Sequence, residues 1–166
     1  MLRNFAKAAK PDKVELERRI EEEQAKLASN QIRVKEAKVP VMVIFEGWSA
    51  AGKGGVLAKV IKDMDPRFFQ VVTMHSHPTE IERRHPFLWR YMVEIPEAGK
   101  FKFFDKCWME EVTRERIQGV LDEDAYDDRI DSINMCERQL VDNGYLVMKF
   151  FFHIDQDEQK ERLDRL

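Results

Sequence analysis

Val41-Met42-Val43-Ile44-Phe45-Glu46-Gly47-Trp48-Ser49-Ala50-Ala51-Gly52-Lys53-Gly54-Gly55 is the stretch on which the reading of this chain turns. Its first five residues are a continuous apolar run, the pattern of a strand covered on both faces. Four of the chain's seven glycines follow, at positions 47, 52, 54 and 55. Val56, Leu57, Val60, Ile61 and Met64 then recur at helical spacing. The order is therefore strand, glycine loop, helix. Gly47 to Lys53 fits the pattern G-x-x-x-x-G-K. In that setting the backbone N–H groups of the loop and of the helix N-terminus converge on one concavity, and the helix dipole adds partial positive charge. Glycines let the backbone come close to phosphate oxygens, and Lys53 adds a mobile full charge. A tight turn that merely needs glycine leaves the lysine unexplained. Gly47, Ser49, Ala50, Ala51, Gly52, Lys53, Gly54 and Gly55 are the candidate phosphate-binding residues. The Ser or Thr that usually follows the lysine and ligates magnesium is replaced by Gly54.

Upstream, Pro11-Asp12 precedes a charged segment from Lys13 to about Lys38. Ile20, Leu27 and Val34 recur every seven residues there, with Leu16 beside them, which predicts a helix with one narrow apolar stripe. The heptads are too few for a coiled coil, so the helix is expected to pack on the core. Residues 1–38 are thus a helical extension, and 39–166 hold the phosphate-loop core.

Downstream, Asp65-Pro66 ends the helix after the loop, and Gln70 to Met74 is a second strand. Pro86 to Glu94 reads as a helix and Pro96 to Gly99 as a turn. Phe101 to Asp105 is a third strand that ends in a carboxylate. Helices are expected over about Trp108–Leu121 and about Tyr126–Asp142. The second carries Tyr126, Ile130, Ile133, Leu140 and Val141 on one face and is capped by Asn143-Gly144. Tyr145 to Phe152 is a fourth strand, and Asp155 begins a last helix. Strands alternating with helices give an α/β fold with a mainly parallel sheet. Asp105, at the end of an apolar strand, is the candidate magnesium ligand. A helix cap is its structural alternative.

Composition narrows the function. The chain has 166 residues, 43% hydrophobic and 36% charged, which suits a folded core under a charged surface. Its 28 basic and 31 acidic residues leave a net charge of −3, which argues against a nucleic-acid binder driven by a basic surface. Residues 121–166 hold most of the acidic excess, and the glycine region is mildly basic. No run approaches the roughly 20 apolar residues of a membrane span, and the first residues lack a secretory core. Cys107 and Cys136 build no disulfide framework, so a reduced, cytoplasmic protein is the expectation.

The chain resembles the family-2 polyphosphate kinases, which include the polyphosphate:AMP phosphotransferases. The likeness begins with Phe45-Glu46-Gly47-Trp48-Ser49-Ala50-Ala51-Gly52-Lys53-Gly54-Gly55 and continues through Pro78-Thr79-Glu80, His85-Pro86-Phe87-Leu88-Trp89-Arg90-Tyr91 and Ile95-Pro96-Glu97-Ala98-Gly99-Lys100. It runs on through Phe104-Asp105-Lys106-Cys107-Trp108, Ile133 to Leu140 and Val147 to Ile154. The resemblance implies a P-loop kinase sheet sandwiched between helices in three layers, with a mobile lid. The likeness runs out near Glu161 to Leu166, where the family's lid begins, so the core is expected without that lid. The implied activity is reversible phosphoryl transfer between inorganic polyphosphate and a nucleoside mono- or diphosphate (AMP, ADP or GDP class), with Mg2+. Lys53 would hold the transferred phosphate, Asp105 the metal, and Lys106 would be catalytic beside them. Arg83, Arg84 and Arg90 would extend a basic path for polyphosphate. A homo-oligomer is left open.

Two departures from the family pattern stand out. Ser49 replaces an Asp, and Lys106-Cys107-Trp108-Met109 replaces Arg-Ser-Trp-Tyr. An arginine's bidentate grip becomes a point charge. If each change removes one transition-state contact, the loss is on the order of 10²-fold apiece. These changes keep open a second reading, a catalytically degenerate phosphate-loop module that binds nucleotide or polyphosphate and scaffolds a partner. A third, an ATP-dependent nucleoside monophosphate kinase, is opposed by Gly54. Cys107 reads as a packed residue and His85 as structural, while Trp48 either stacks on a base or walls off the loop.

Overall fold

A computed structural model describes residues 11–165. The first ten residues of the expected N-terminal extension and Leu166 lie outside the described residues. Helix α1 spans Lys13–Ala37, its N-terminus capped by the Asp12 side chain and its C-terminus turned by Lys38 in the left-handed region (φ 54°). Leu27 and Val34 pack on the core as the stripe predicts. Beside them the helix is held by the amides of Gln24 and Gln31. Gln24 Nε2 donates to the Lys59 carbonyl (2.6 Å), and Gln31 exchanges two hydrogen bonds with the Asp65 backbone. Both glutamines are buried. A buried amide is tolerated only when so satisfied, and here the bonds lock α1 onto the C-terminal end of the helix that follows the glycine loop.

Four parallel strands form one sheet in the order β2-β3-β1-β4, with β1 Val41–Gly47, β2 Phe69–Thr73, β3 Phe101–Asp105 and β4 Leu146–Phe152. Central β1 is buried over its first six residues, as its apolar run requires. In register, Phe45 lies beside Asp105 and Phe150, and Gly47 beside Phe152. Helix α2 (Lys53–Ile61) and α1 cover one face over Val41, Val43, Phe45, Phe101 and Phe103. Helices α4 (Trp108–Ile117) and α5 (Glu123–Asp142), with the single turn α3 (Trp89–Met92), cover the other over Met42, Ile44 and Phe104. Helix α6 (Gln156–Leu163) follows β4. This is the expected three-layer α/β sandwich. Among the described residues no helix is long and apolar enough to cross a membrane.

Four local expectations shift. The segment Pro86–Glu94 makes only one α-helical turn, because bonds of the 3₁₀ type, such as Trp89 N–H to Pro86 and Glu94 N–H to Tyr91, break the α pattern on both sides. Helix α4 stops at Ile117, ended by Gly119 at φ 70°. Helix α5 starts three residues before Tyr126, because Asp122 caps it by accepting from the Ala125 N–H. On α5, Val141 is exposed, and Cys136 joins Ile133 and Leu140 in the core.

Candidate functional site

The C-terminal ends of β1 and β3 open into a cavity of about 940 Å³. The phosphate loop forms one wall. Its shape depends on Gly47, whose φ is 130° and whose absent Cβ would fall 2.3 Å from the Phe152 carbonyl oxygen. No other residue fits between β1 and β4 at that point. Trp48 N–H donates back to the Phe152 carbonyl (3.2 Å), and Ala51 N–H closes a turn on the Trp48 carbonyl (3.2 Å). Ala50, at the turn's centre, has φ 60° although it is not glycine. Gly52, at φ 97°, caps α2 without a side chain, so the first amides of α2 keep their donors for a ligand. Lys53 Nζ lies beneath the loop and donates to the carbonyls of Gly47 (2.7 Å) and Trp48 (3.1 Å).

Asp105 closes β3 on the cavity's edge. Among the described residues no hydrogen bond or ion pair engages its carboxylate. The cap position of α4 is taken by Cys107, which makes no side-chain cap bond, so Asp105 is not used as a cap. Lys106 adopts φ 75°, a conformation that costs a side-chain-bearing residue on the order of 1 kcal/mol or more. Its amide donates to the Phe45 carbonyl (3.3 Å), and Nζ lies 3.5 Å from Glu110 Oε1. Mg2+ keeps most of its waters and takes one or two carboxylates plus phosphate oxygens. One unengaged carboxylate facing a phosphate loop fits that habit. A cage built wholly from side chains is not present, since no group of three His, Cys, Asp or Glu is placed to hold a metal among the described residues.

Glu46 also lines the cavity, on the face of β1 toward α4. It is buried, and among the described residues its Oε1 has no hydrogen-bond partner. Burial, and then the charge of Glu110, push its carboxyl up to about 7, while Lys53 and the backbone N–H groups of Glu110 and Cys107 pull the other way.

The fold is that of one family. The family description "Polyphosphate kinase 2 (PPK2)" matches residues 10–165. The chain belongs to the polyphosphate kinase 2 family. It is 41% identical over 141 residues to a polyphosphate:AMP phosphotransferase of Pseudomonas syringae pv. tomato, covering 84% of this chain and 28% of that protein. It is 31% identical over 139 residues to an ADP-polyphosphate phosphotransferase 3 of Rhizobium meliloti, covering 84% and 49%. The crystal structure of polyphosphate kinase 2 from Arthrobacter aurescens TC1 superimposes with a TM-score of 0.92 at 29% identity, over 99% of this chain and 61% of that one. The chain thus spans between about a quarter and three-fifths of the length of these relatives.

Within this family fold, Gly47 to Gly54, Asp105 and Lys106 come together around the cavity. The arginines do not join them. Arg83 and Arg84 sit exposed on a 3₁₀ turn, Glu82–Arg84, with Arg84 paired to Glu80 (2.7 Å). Arg90, expected on a basic path, is instead interior at 3% exposure. Its guanidinium reaches the His75 carbonyl (2.8 Å), Glu111 (3.3 Å) and Glu82 (3.4 Å), and the Tyr91 hydroxyl donates to the same Glu111. A run containing one arginine between apolar residues looks the same whether that arginine faces solvent or two buried carboxylates.

Trp48 walls the loop, since its indole N–H donates to His153 Nδ1 (2.9 Å) and its ring meets the Phe151 ring edge-on. His85 stacks on Trp89 at 4.1 Å between ring centres. Cys107 is packed, and burial pushes its thiol well up. Sequence reasoning missed Glu46, Glu110, Arg114 and Lys149 as cavity residues. The signal for two of them was present. Once α4 starts just after β3, positions 110 and 114 fall on one helix face.

Proposed function

We propose that this chain is the phosphotransferase core of a polyphosphate:nucleotide phosphotransferase, moving a phosphoryl group between inorganic polyphosphate and a nucleoside mono- or diphosphate of the AMP, ADP or GDP class. Residues 39–166 would form that core and residues 1–38 its helical extension. The observation that carries the reading is the meeting of a phosphate loop, an unengaged carboxylate at Asp105 and a cation at Lys106 around one cavity whose far end is apolar. The loop amides and Lys53 suit the phosphates, and Met109, Ile117 and Phe151 offer an apolar surface for a nucleoside.

Catalysis in this reading is positioning plus electrostatics. Lys53 leaves the carbonyls of Gly47 and Trp48 and follows the charge that spreads over the transferred group. Lys106, held close to the reacting end by its left-handed backbone, supplies a second positive charge. Asp105 would hold Mg2+, which would supply positive charge to offset that of the phosphates. Arg83 and Arg84 would extend the path for polyphosphate, and Arg90 supports it indirectly by fixing the turn that carries them. A reducing cytoplasm suits the two free, buried cysteines. Neither nucleic acid nor a membrane is a partner in this reading.

The test is a turnover assay with Mg2+ and AMP or ADP, using polyphosphate or ATP as donor. Product that depends on polyphosphate and falls by about 10²-fold or more in Lys53→Ala supports the proposal. Binding without turnover points to a scaffold, and turnover with ATP alone to a nucleotide kinase.

A further inference from the structure

Helix α6 reaches back over the phosphate loop. Gln159 Nε2 donates to the Ser49 carbonyl (3.0 Å), and Arg162 Nη1 donates to the Ala50 carbonyl (3.2 Å). Both acceptors belong to the part of the loop with no strand or helix to hold it. Arg162 is aimed by its own neighbour, since its Nε donates to Glu158 one turn earlier (2.7 Å). The guanidinium also lies along the open side of Gly52, 3.8 Å from where a Cβ would stand.

This contact has a physical consequence for the loop. An anion-binding loop works only when its N–H groups face the cavity and its carbonyls face away. Ala50 achieves this with φ 60°, a conformation that an alanine leaves readily unless its surroundings hold it. The Ala51 N–H to Trp48 turn bond holds one side. Only α6 donates to the carbonyls of Ser49 and Ala50 among the described residues. Gln159 and Arg162 come from a separate element more than a hundred positions away, so the contact is not a local by-product of the loop's own sequence.

We propose that Gln159 and Arg162 are positioning residues that act through the Ser49 and Ala50 carbonyls to keep the phosphate loop in its anion-binding conformation. Neither touches the transferred phosphate. They set the direction of the backbone dipoles that do. The functional part of the inference rests on the phosphotransferase reading above, but the conformational part does not.

Two measurements separate these parts. The first is hydrogen exchange of the amides of residues 47–55 in the ligand-free protein. The second is calorimetric titration with inorganic tripolyphosphate and Mg2+. Arg162→Ala is expected to speed exchange across the loop and to weaken tripolyphosphate about tenfold, the effect of losing one charge-assisted hydrogen bond. Gln159→Ala should act in the same direction but less strongly. Arg162→Lys, which keeps a donor, should recover part of the loss. Ala50→Gly, which removes the cost of left-handed backbone, should recover part of it when combined with Arg162→Ala. Arg165→Ala removes a comparable ion pair, with Glu161, at the C-terminal end of α6 and should change neither measurement. This controls for simple loss of the helix. Loop exchange unchanged in Arg162→Ala overturns the proposal, as does an equal effect from Arg165→Ala. If the unaltered chain fails to bind tripolyphosphate but loop exchange responds as described, the strap stands and the polyphosphate reading falls.

Discussion

At the scale of single residues, two buried charges set the chain's response to pH and to mutation. Glu46 is the clearer case. Its carboxyl titrates near 7 in the folded chain against about 4.5 unfolded, so folding favours the protonated form. That stabilisation is fully present below about pH 4.5 and is lost as pH rises through about 7, with a size on the order of 3 kcal/mol. Glu46→Gln lacks this loss. The stability difference between the two proteins should therefore be flat in acid and move against the parent between about pH 4.5 and 7, as followed by thermal unfolding across a pH series. Arg90 sets the second response. Removing it leaves Glu111 buried with Tyr91 as its remaining hydrogen-bond partner among the described residues, so Arg90→Ala should cost about 3–5 kcal/mol in a urea titration. An exposed arginine on a substrate path would cost under about 1 kcal/mol, and the experiment distinguishes the two placements directly.

At the scale of elements, the join between β1 and β4 is the tightest point. Gly47→Ala would drive a methyl group into the backbone of Phe152, and strain in a packed interior of this kind costs about 1–3 kcal/mol or more. Gly55→Ala meets nothing within 4 Å and lies inside α2, so it should raise the ligand-free melting temperature by the equivalent of about 0.5–1 kcal/mol. Two glycines of one motif thus shift stability in opposite directions, and melting curves of the two variants check both. The regular elements were legible wherever a single periodicity dominated. Strand β3 keeps its expected ends, Phe101 and Asp105, because aromatics stop at a carboxylate, and α1 ends within a residue of expectation. The segment at 86–94 was not, because Pro86 and Pro96 admit either an α-helix or a chain of tighter turns, and tertiary packing of Tyr91 decides. The site divides in the same way. Lys53 closes the G-x-x-x-x-G-K pattern and Asp105 ends a pattern-bearing strand, so both could be read. Glu46 and Glu110 become neighbours only through strand order and a helix face, which no local spacing reveals. Gln159 and Arg162 sit in a polar helix whose docking on the loop depends wholly on where β4 ends.

At the scale of the whole molecule, two apolar clusters share one sheet. The side of β1 that carries Val41, Val43 and Phe45 belongs to one, and the side that carries Met42 and Ile44 to the other. Neither cluster can come apart without exposing β1. Heat unfolding should accordingly be a single transition, with calorimetric and van't Hoff enthalpies in agreement. A second transition in the thermogram would mean that α1 and α2 melt away from the opposite layer. The clasp of Trp48 by His153 and Phe151 has a further consequence, an optical one. The chain's three indoles occupy distinct surroundings. Trp108 is wholly buried and bonded to Glu137, Trp89 lies flat against an imidazole, and Trp48 stands 40% exposed at the rim of the phosphate loop. The molecule therefore carries an intrinsic fluorophore at the edge of its phosphate loop. With Trp89 and Trp108 replaced by phenylalanine, emission from Trp48 alone would report each arrival and departure of an anion without any label.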